Sequence, residues 1–211
     1  MRSPFLVSQD FLSPLLCEKI ISEIHIDAPD TDLAGNPRSL ERFALKYEHE
    51  LAVRFRALVP EVEERFDCTY SKLAAPIFQY FPENAKEPAS KPGCENSVYL
   101  RKKWVKNKDV DLVGYLWLKD FNGSPPLDPR HEVFGGKLEF PVYNFSLLPQ
   151  RGTLVIFPAG PHFISVISPV MLGDLYQIKL QVNVTTKDGG LWLYQPANFP
   201  GKWDEWFRDF A

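Results

Sequence analysis

The stretch from Phe134 to Val170 constrains the fold of this chain more than any other, because it alternates turn residues with short β-rich runs. Gly135-Gly136 supplies backbone freedom that other residues lack, and it feeds the alternating run Lys137-Leu138-Glu139-Phe140. Pro149 to Gly152 forms a second turn and feeds a strand expected over Thr153 to Phe157, and a third strand is expected to end at Pro169. Short strands joined by such turns make a double-sheet sandwich or jelly roll. The chain is therefore read as mainly β with N-terminal helices.

The flanking segments fit that reading. Ser13-Pro14 is an N-cap followed by a first helical position, and Leu16, Ile20, Ile21 and Ile24 recur on one face of a helix of roughly three turns. A loop rich in Asp, Pro and Gly is expected from Asp27 to Pro37. From Ser39, the residues Phe43, Tyr47, Leu51, Phe55 and Leu58 repeat at helical spacing, with Pro60 expected to break that helix before a short continuation to Phe66. Leu73 to Phe81, Tyr99 to Lys106, Val110 to Leu118 and Leu175 to Val184 read as strands. Pro82 to Asn96 is a Pro-, Lys- and Glu-bearing insertion, a lid or a mobile loop, and Asn122 to Arg130 is a long irregular connection. Leu191 to Tyr194, then Trp203, Trp206, Phe207 and Phe210, suit a last strand and a short amphipathic helix.

With 211 residues, 45% of them hydrophobic, the chain is long enough for one substantial core. One domain over 1–211 is expected, with a helical support region at 1–72, a jelly-roll core at 73–195 and a C-terminal helix at 196–211. A net charge of −3, from 24 basic and 27 acidic residues, gives no bulk attraction to nucleic acid or an anionic membrane. Cys17, Cys68 and Cys94 are odd in number and share no close spacing, so neither a disulfide framework nor a Cys-based zinc site is indicated. With no apolar core of a secretory signal and no run of membrane-spanning length, a cytoplasmic protein is expected. Walker, dinucleotide-binding, nucleophile-elbow and paired-Cys motifs are all missing from the sequence.

The motifs Gly135-Gly136-Lys137-Leu138-Glu139-Phe140, Pro149 to Pro158, and Ser168-Pro169-Val170, in that order, resemble the iron(II)- and 2-oxoglutarate-dependent oxygenases, in particular the prolyl-4-hydroxylase-like branch. The resemblance covers about two thirds of the chain and extends to Asp10-Phe11-Leu12-Ser13 with Cys17 and Ile20-Ile21. It implies a double-stranded β-helix, a cupin-like jelly roll. It also implies Fe(II) and 2-oxoglutarate as cofactors, and hydroxylation of a protein side chain or a small molecule. The family pattern has His-x-Asp, then a second His, then an Arg or Lys that holds the 2-oxoglutarate carboxylate. Laid on it, Asp111 takes the metal-binding Asp, Asp109 the first His and Ser165 the second His, with His162 three residues upstream. The usual Arg position falls near Leu175, and Lys179 lies four residues later.

Read from the residues, Asp109 and Asp111 face the same way if they lie on an extended strand, which suits a hard or borderline cation. In the alternative, Asn107-Lys108-Asp109 is an exposed turn and only Asp111 points inward. His162 is a third candidate ligand, whereas Ser165 offers a neutral hydroxyl. Lys179, facing inward, would bind a carboxylate, and Tyr80, Tyr99 and Tyr115 are candidate hydrogen-bond donors to an organic acid in the barrel. Two functions stay open: a dioxygenase with a non-standard metal set from Asp109, Asp111 and His162, or a catalytically degenerate jelly roll, without cofactors, that serves as a binding or structural module.

Overall fold

Two glycines hold the turns on which the strand order depends. Gly135 (φ 97°) and Gly152 (φ 76°) sit in the left-handed region, and a Cβ at either would collide with a main-chain carbonyl oxygen, that of Pro169 and of Leu12 respectively. The structure, a computed structural model, describes residues 3–27, 38–39, 41–83, 92–101, 103–124, 128 and 130–186. Its strands are β1 (Leu6–Ser8), β2 (Arg38–Ser39), β3 (Thr69–Leu73), β4 (Ile77–Phe81), β5 (Ser97–Leu100), β6 (Lys103–Lys106), β7 (Leu112–Trp117) and β8 (Asp120–Phe121). They continue with β9 (Glu132–Gly135), β10 (Leu138–Phe140), β11 (Phe145–Leu147), β12 (Leu154–Pro158), β13 (Val166–Ile167), β14 (Val170–Leu172) and β15 (Leu175–Thr185). Helix α1 (Pro14–Asp27) follows β1, and α2 (Glu41–Phe66) follows β2.

The larger sheet runs β1-β12-β7-β15-β4-β2 with antiparallel neighbours, and β3 continues along the edge of β15 beyond β4. Strand alternation gives it two apolar faces. On one, Leu116, Ile156, Ile178 and Leu180 pack against Cys17, Ile20 and Ile24 of α1 and Leu51, Phe55 and Val62 of α2. On the other, Val113, Val155, Phe157 and Leu175 pack against Val133, Leu138, Phe140 and Val170 from the sheets β11-β10-β13 and β14-β9-β8. The larger sheet and the two small sheets facing it enclose one interior and are braced outside by helices, which is the expected double-stranded β-helix. Among the described residues no helix is long and apolar enough to cross a membrane.

Several local expectations are corrected. Helix α2 runs straight through Pro60. Leu51, Phe55, Leu58, Val62 and Phe66 keep one face buried on both sides of it, while Pro60 and Arg56 are exposed, so water can take up the Arg56 carbonyl that the proline leaves without an N–H. The Leu73-to-Phe81 strand is two strands divided at Ala74-Ala75-Pro76, each pairing a different length of β15. The Tyr99-to-Lys106 strand is the hairpin β5–β6, reversing at Arg101 in a left-handed conformation (φ 48°) that no Gly or Asn advertises. The last strand of the Phe134-to-Val170 stretch shrinks to β13, because Pro161–Phe163 forms a 3-10 turn. Helix α1 starts as expected, with the Ser13 hydroxyl accepting from the Leu16 N–H at 3.3 Å. Most of the Asp27–Pro37 loop, the middle of the Pro82–Asn96 insertion and the aromatic C-terminal segment with its helix at 196–211 lie outside the described residues.

Candidate functional site

The interior face of the larger sheet is apolar except at one end, where β15 turns Gln177, Lys179 and Gln181 to the same side. Tyr115 lies opposite Lys179 on β7, and Gln79 lies opposite Gln177 on β4. The far wall at this end is Ser165, which exchanges two main-chain hydrogen bonds with Gly93 (3.0 and 2.9 Å) and so pins the segment that follows, Cys94-Glu95-Asn96, across the mouth. Between the walls is a cleft of about 250 Å³ that includes Cys94, Glu95, Tyr115, Ser165, Gln177 and Lys179 in its lining.

Glu95 fills the polar end of this cleft. Lys179 Nζ lies 3.1 Å from both of its carboxylate oxygens. The Tyr115 hydroxyl donates to Oε1 at 3.3 Å, and Gln181 Nε2 donates to Oε2 at 3.4 Å. Both charged side chains are largely withdrawn from solvent, 14% and 18% exposed for Lys179 and Glu95, so the pair is far less screened than a surface ion pair. Burial first, and then the charge and hydrogen bond of Glu95, push the Tyr115 phenol well above its ordinary value, against a smaller lowering by its hydrogen bond with Ser165. The phenol therefore stays protonated and acts as a donor. Gln177 Nε2 donates to Gln79 Oε1 at 2.8 Å, while Gln177 Oε1, fully buried, has no partner among the described residues.

The candidate ligands Asp109 and Asp111 share a lysine: Lys106 Nζ lies 3.4 Å from Asp109 Oδ1 and 3.5 Å from Asp111 Oδ1. The Asp109 side chain is 85% exposed. Asp111 is buried, and its Oδ2 accepts the Val184 N–H at 3.0 Å, satisfying the end of β15. These residues precede β7, which begins at Leu112, so strand alternation does not align their side chains. His162 is half-buried in the 3-10 turn Pro161–Phe163, where odd-even parity does not apply either. Among the described residues, no three of His, Cys, Asp and Glu gather where they could hold a metal, so Asp109, Asp111 and His162 do not form a ligand set. Tyr80 is on the helix-covered face of the sheet, its ring 5.0 Å from that of Tyr176, and does not enter the cleft. Tyr115, Ser165 and Lys179 do share it.

A metal bound at position 165 would need partners from across the Gly93 bridge, and the residues there do not fit iron(II). Burial raises the Cys94 thiol above its ordinary value, and its Sγ donates to the Ser97 carbonyl at 3.4 Å, so the thiolate that binds metal is disfavoured. The Asn96 amide is spent on the Val110 carbonyl (2.9 Å) and the Ser97 hydroxyl (2.8 Å). Glu95 is engaged by Lys179. The residue that sequence reasoning missed is Glu95: it sits in an insertion with no periodicity, and nothing in its spacing ties it to Lys179.

No protein-family model and no curated protein sequence matches this chain. Among solved structures it is similar to a viral collagen prolyl hydroxylase from Paramecium bursaria Chlorella virus-1, solved as a 2-oxoglutarate complex, with 14% identity, TM-score 0.60, and coverage of 88% of this chain and 97% of that one. It is also similar to a Pseudomonas putida prolyl-4-hydroxylase, with 13% identity, TM-score 0.54 and coverage of 85% and 92%. A third similar structure is a Trichoplax adhaerens prolyl hydroxylase in complex with a hypoxia inducible factor peptide fragment, with 13% identity, TM-score 0.53 and coverage of 85% and 83%. At this identity the likeness establishes the fold: the chain has the jelly roll of the prolyl hydroxylases.

Proposed function

We propose that this chain is a binding protein built on the prolyl-hydroxylase fold, whose barrel mouth engages a segment of another protein without oxidising it. The observation that carries the reading is the chemistry around Ser165. A neutral hydroxyl there shares the cleft with a protonated thiol and a carboxylate already paired with Lys179, where a non-haem iron oxygenase uses two imidazoles and a carboxylate on one side of the metal. A protein ligand is supported by the β5–β6 hairpin, whose base joins the mouth through the Asn107 and Lys108 N–H groups on the Asn96 carbonyl. That hairpin exposes Tyr99, Leu100 and Val105. The peptide complex of the Trichoplax hydroxylase supports the same ligand class.

The second reading is an iron(II)- and 2-oxoglutarate-dependent hydroxylase acting on a protein side chain, and the fold likeness is what favours it. Anaerobic titration with iron(II), followed by calorimetry, separates the two. The binding-protein reading expects no stoichiometric uptake at micromolar metal, and one tightly bound equivalent would replace it with the hydroxylase reading.

A further inference from the structure

We infer that the β5–β6 hairpin is a docking edge for an acidic, extended segment of a partner protein, whose carboxylates lie between Arg101 at the hairpin's tip and Lys108 at the mouth of the cleft. The inference rests on the binding-protein reading and names the charge and conformation of the segment which that reading invokes.

The charge of the hairpin is opposite to that of the chain. Arg101, Lys102, Lys103, Lys106 and Lys108 crowd into one short stretch of a protein whose net charge is −3. The carboxylates at its base neutralise only one of them, because Asp109 and Asp111 both turn to Lys106. Arg101 and Lys108 are exposed and, among the described residues, pair with no carboxylate. Lys108 also lines the cleft that holds Glu95 and Lys179, so the hairpin and the barrel mouth form one continuous surface.

The backbone gives an independent argument for an extended ligand. β5 and β6 form a two-stranded sheet of their own, so each keeps an outer edge of N–H and C=O groups with no strand partner among the described residues. Two strands alone are marginal, and an added segment completes such a sheet. Strand alternation puts Tyr99 and Trp104 on one face, ring centroids 5.3 Å apart, and Val98, Leu100 and Val105 on the other. A third strand would cover apolar surface on both faces while its carboxylates meet the cations at either end. A nucleic-acid strand would use the cations and stack on Tyr99, but it would leave the strand edge and the aliphatic face without a partner. The observations therefore favour a peptide.

The probe is a fluorescein-labelled peptide alternating glutamate and valine, of about ten residues so that it spans the hairpin, read by anisotropy at low salt with the unmodified protein. We expect saturable binding that weakens as sodium chloride is raised. The same peptide with glutamine in place of glutamate should bind about 3–10-fold more weakly. Arg101→Gln combined with Lys108→Gln should weaken the glutamate peptide by a similar factor and leave the glutamine peptide unchanged. Both side chains are exposed, so the melting temperature of this double variant should match that of the parent, which separates lost binding from lost folding. Equal affinity for the two peptides, no saturable binding of the glutamate peptide up to about 1 mM, or a double variant that binds it as the parent does overturns the inference. So does tighter binding of an oligothymidylate of equal charge, which would make the hairpin a nucleic-acid surface. Failure here leaves the binding-protein reading with a neutral or basic segment as its ligand, whereas stoichiometric iron(II) uptake ends that reading in a separate measurement.

Discussion

Phe157→Ala is expected to destabilise the protein by about 3–5 kcal/mol, read as a lower urea midpoint with an unchanged slope. Phe157 is 1% exposed at the centre of the barrel interior, with ring centroids of Phe140, Phe5, Tyr115 and Phe163 at 5.1, 5.6, 6.0 and 6.1 Å. Truncation opens a cavity between the larger sheet and the small sheets facing it that the larger sheet cannot close, because β12 is hydrogen-bonded on both sides, to β1 and to β7. It also removes the ring on which Tyr115 stacks, so the loss should reach the mouth of the cleft. An exposed side chain of similar standing in the sequence gives the contrast: Asp109→Ala should leave the midpoint unchanged. A midpoint for Phe157→Ala within error of the parent would mean that the barrel interior is not packed as described.

Gly152→Ala is expected to cost about 2–5 kcal/mol, from the left-handed conformation and from the backbone shift needed to relieve the contact with the Leu12 carbonyl. That carbonyl belongs to the main chain just ahead of α1, where the Leu12 N–H donates to the Gly152 carbonyl at 3.1 Å. The substitution therefore pushes the helical layer away from the turn that feeds β12. Urea unfolding measures the cost, and a loss below about 1 kcal/mol, the least that a left-handed alanine should incur, would show that the turn relaxes freely.

The glycine turns and the alternating strands were legible in the sequence because each rests on a local rule. Gly135 and Gly152 occupy backbone conformations that other residues adopt at a cost, and β15 alternates over its whole length between the helix layer and the interior. What was not legible is what tertiary pairing decides. Pro60 does not end α2 because the buried face continues past it, and Arg101 turns a hairpin without a turn residue. At the site, parity along β15 places Gln177 beside Lys179, and the sheet register brings Tyr115 to them. Tyr80 falls on the other face because it pairs with Tyr176 and not with Gln177. Asp109 and Asp111 lie before their strand begins, so the alternation that would align them does not reach them. Glu95 carries no local signal at all: the Gly93–Ser165 bridge and the Asn96 N–H on the Ala159 carbonyl, both between segments far apart in the chain, bring it to Lys179.

Succinate release from 2-oxoglutarate by the unmodified protein, with added iron(II), ascorbate and oxygen, tests the central claim most directly. The claim is that the mouth of this barrel holds a carboxylate and not an iron centre. The account predicts succinate at the level of a protein-free control, unchanged when protein concentration is raised. Release that scales with protein, requires iron(II) and is abolished by a chelator would contradict it.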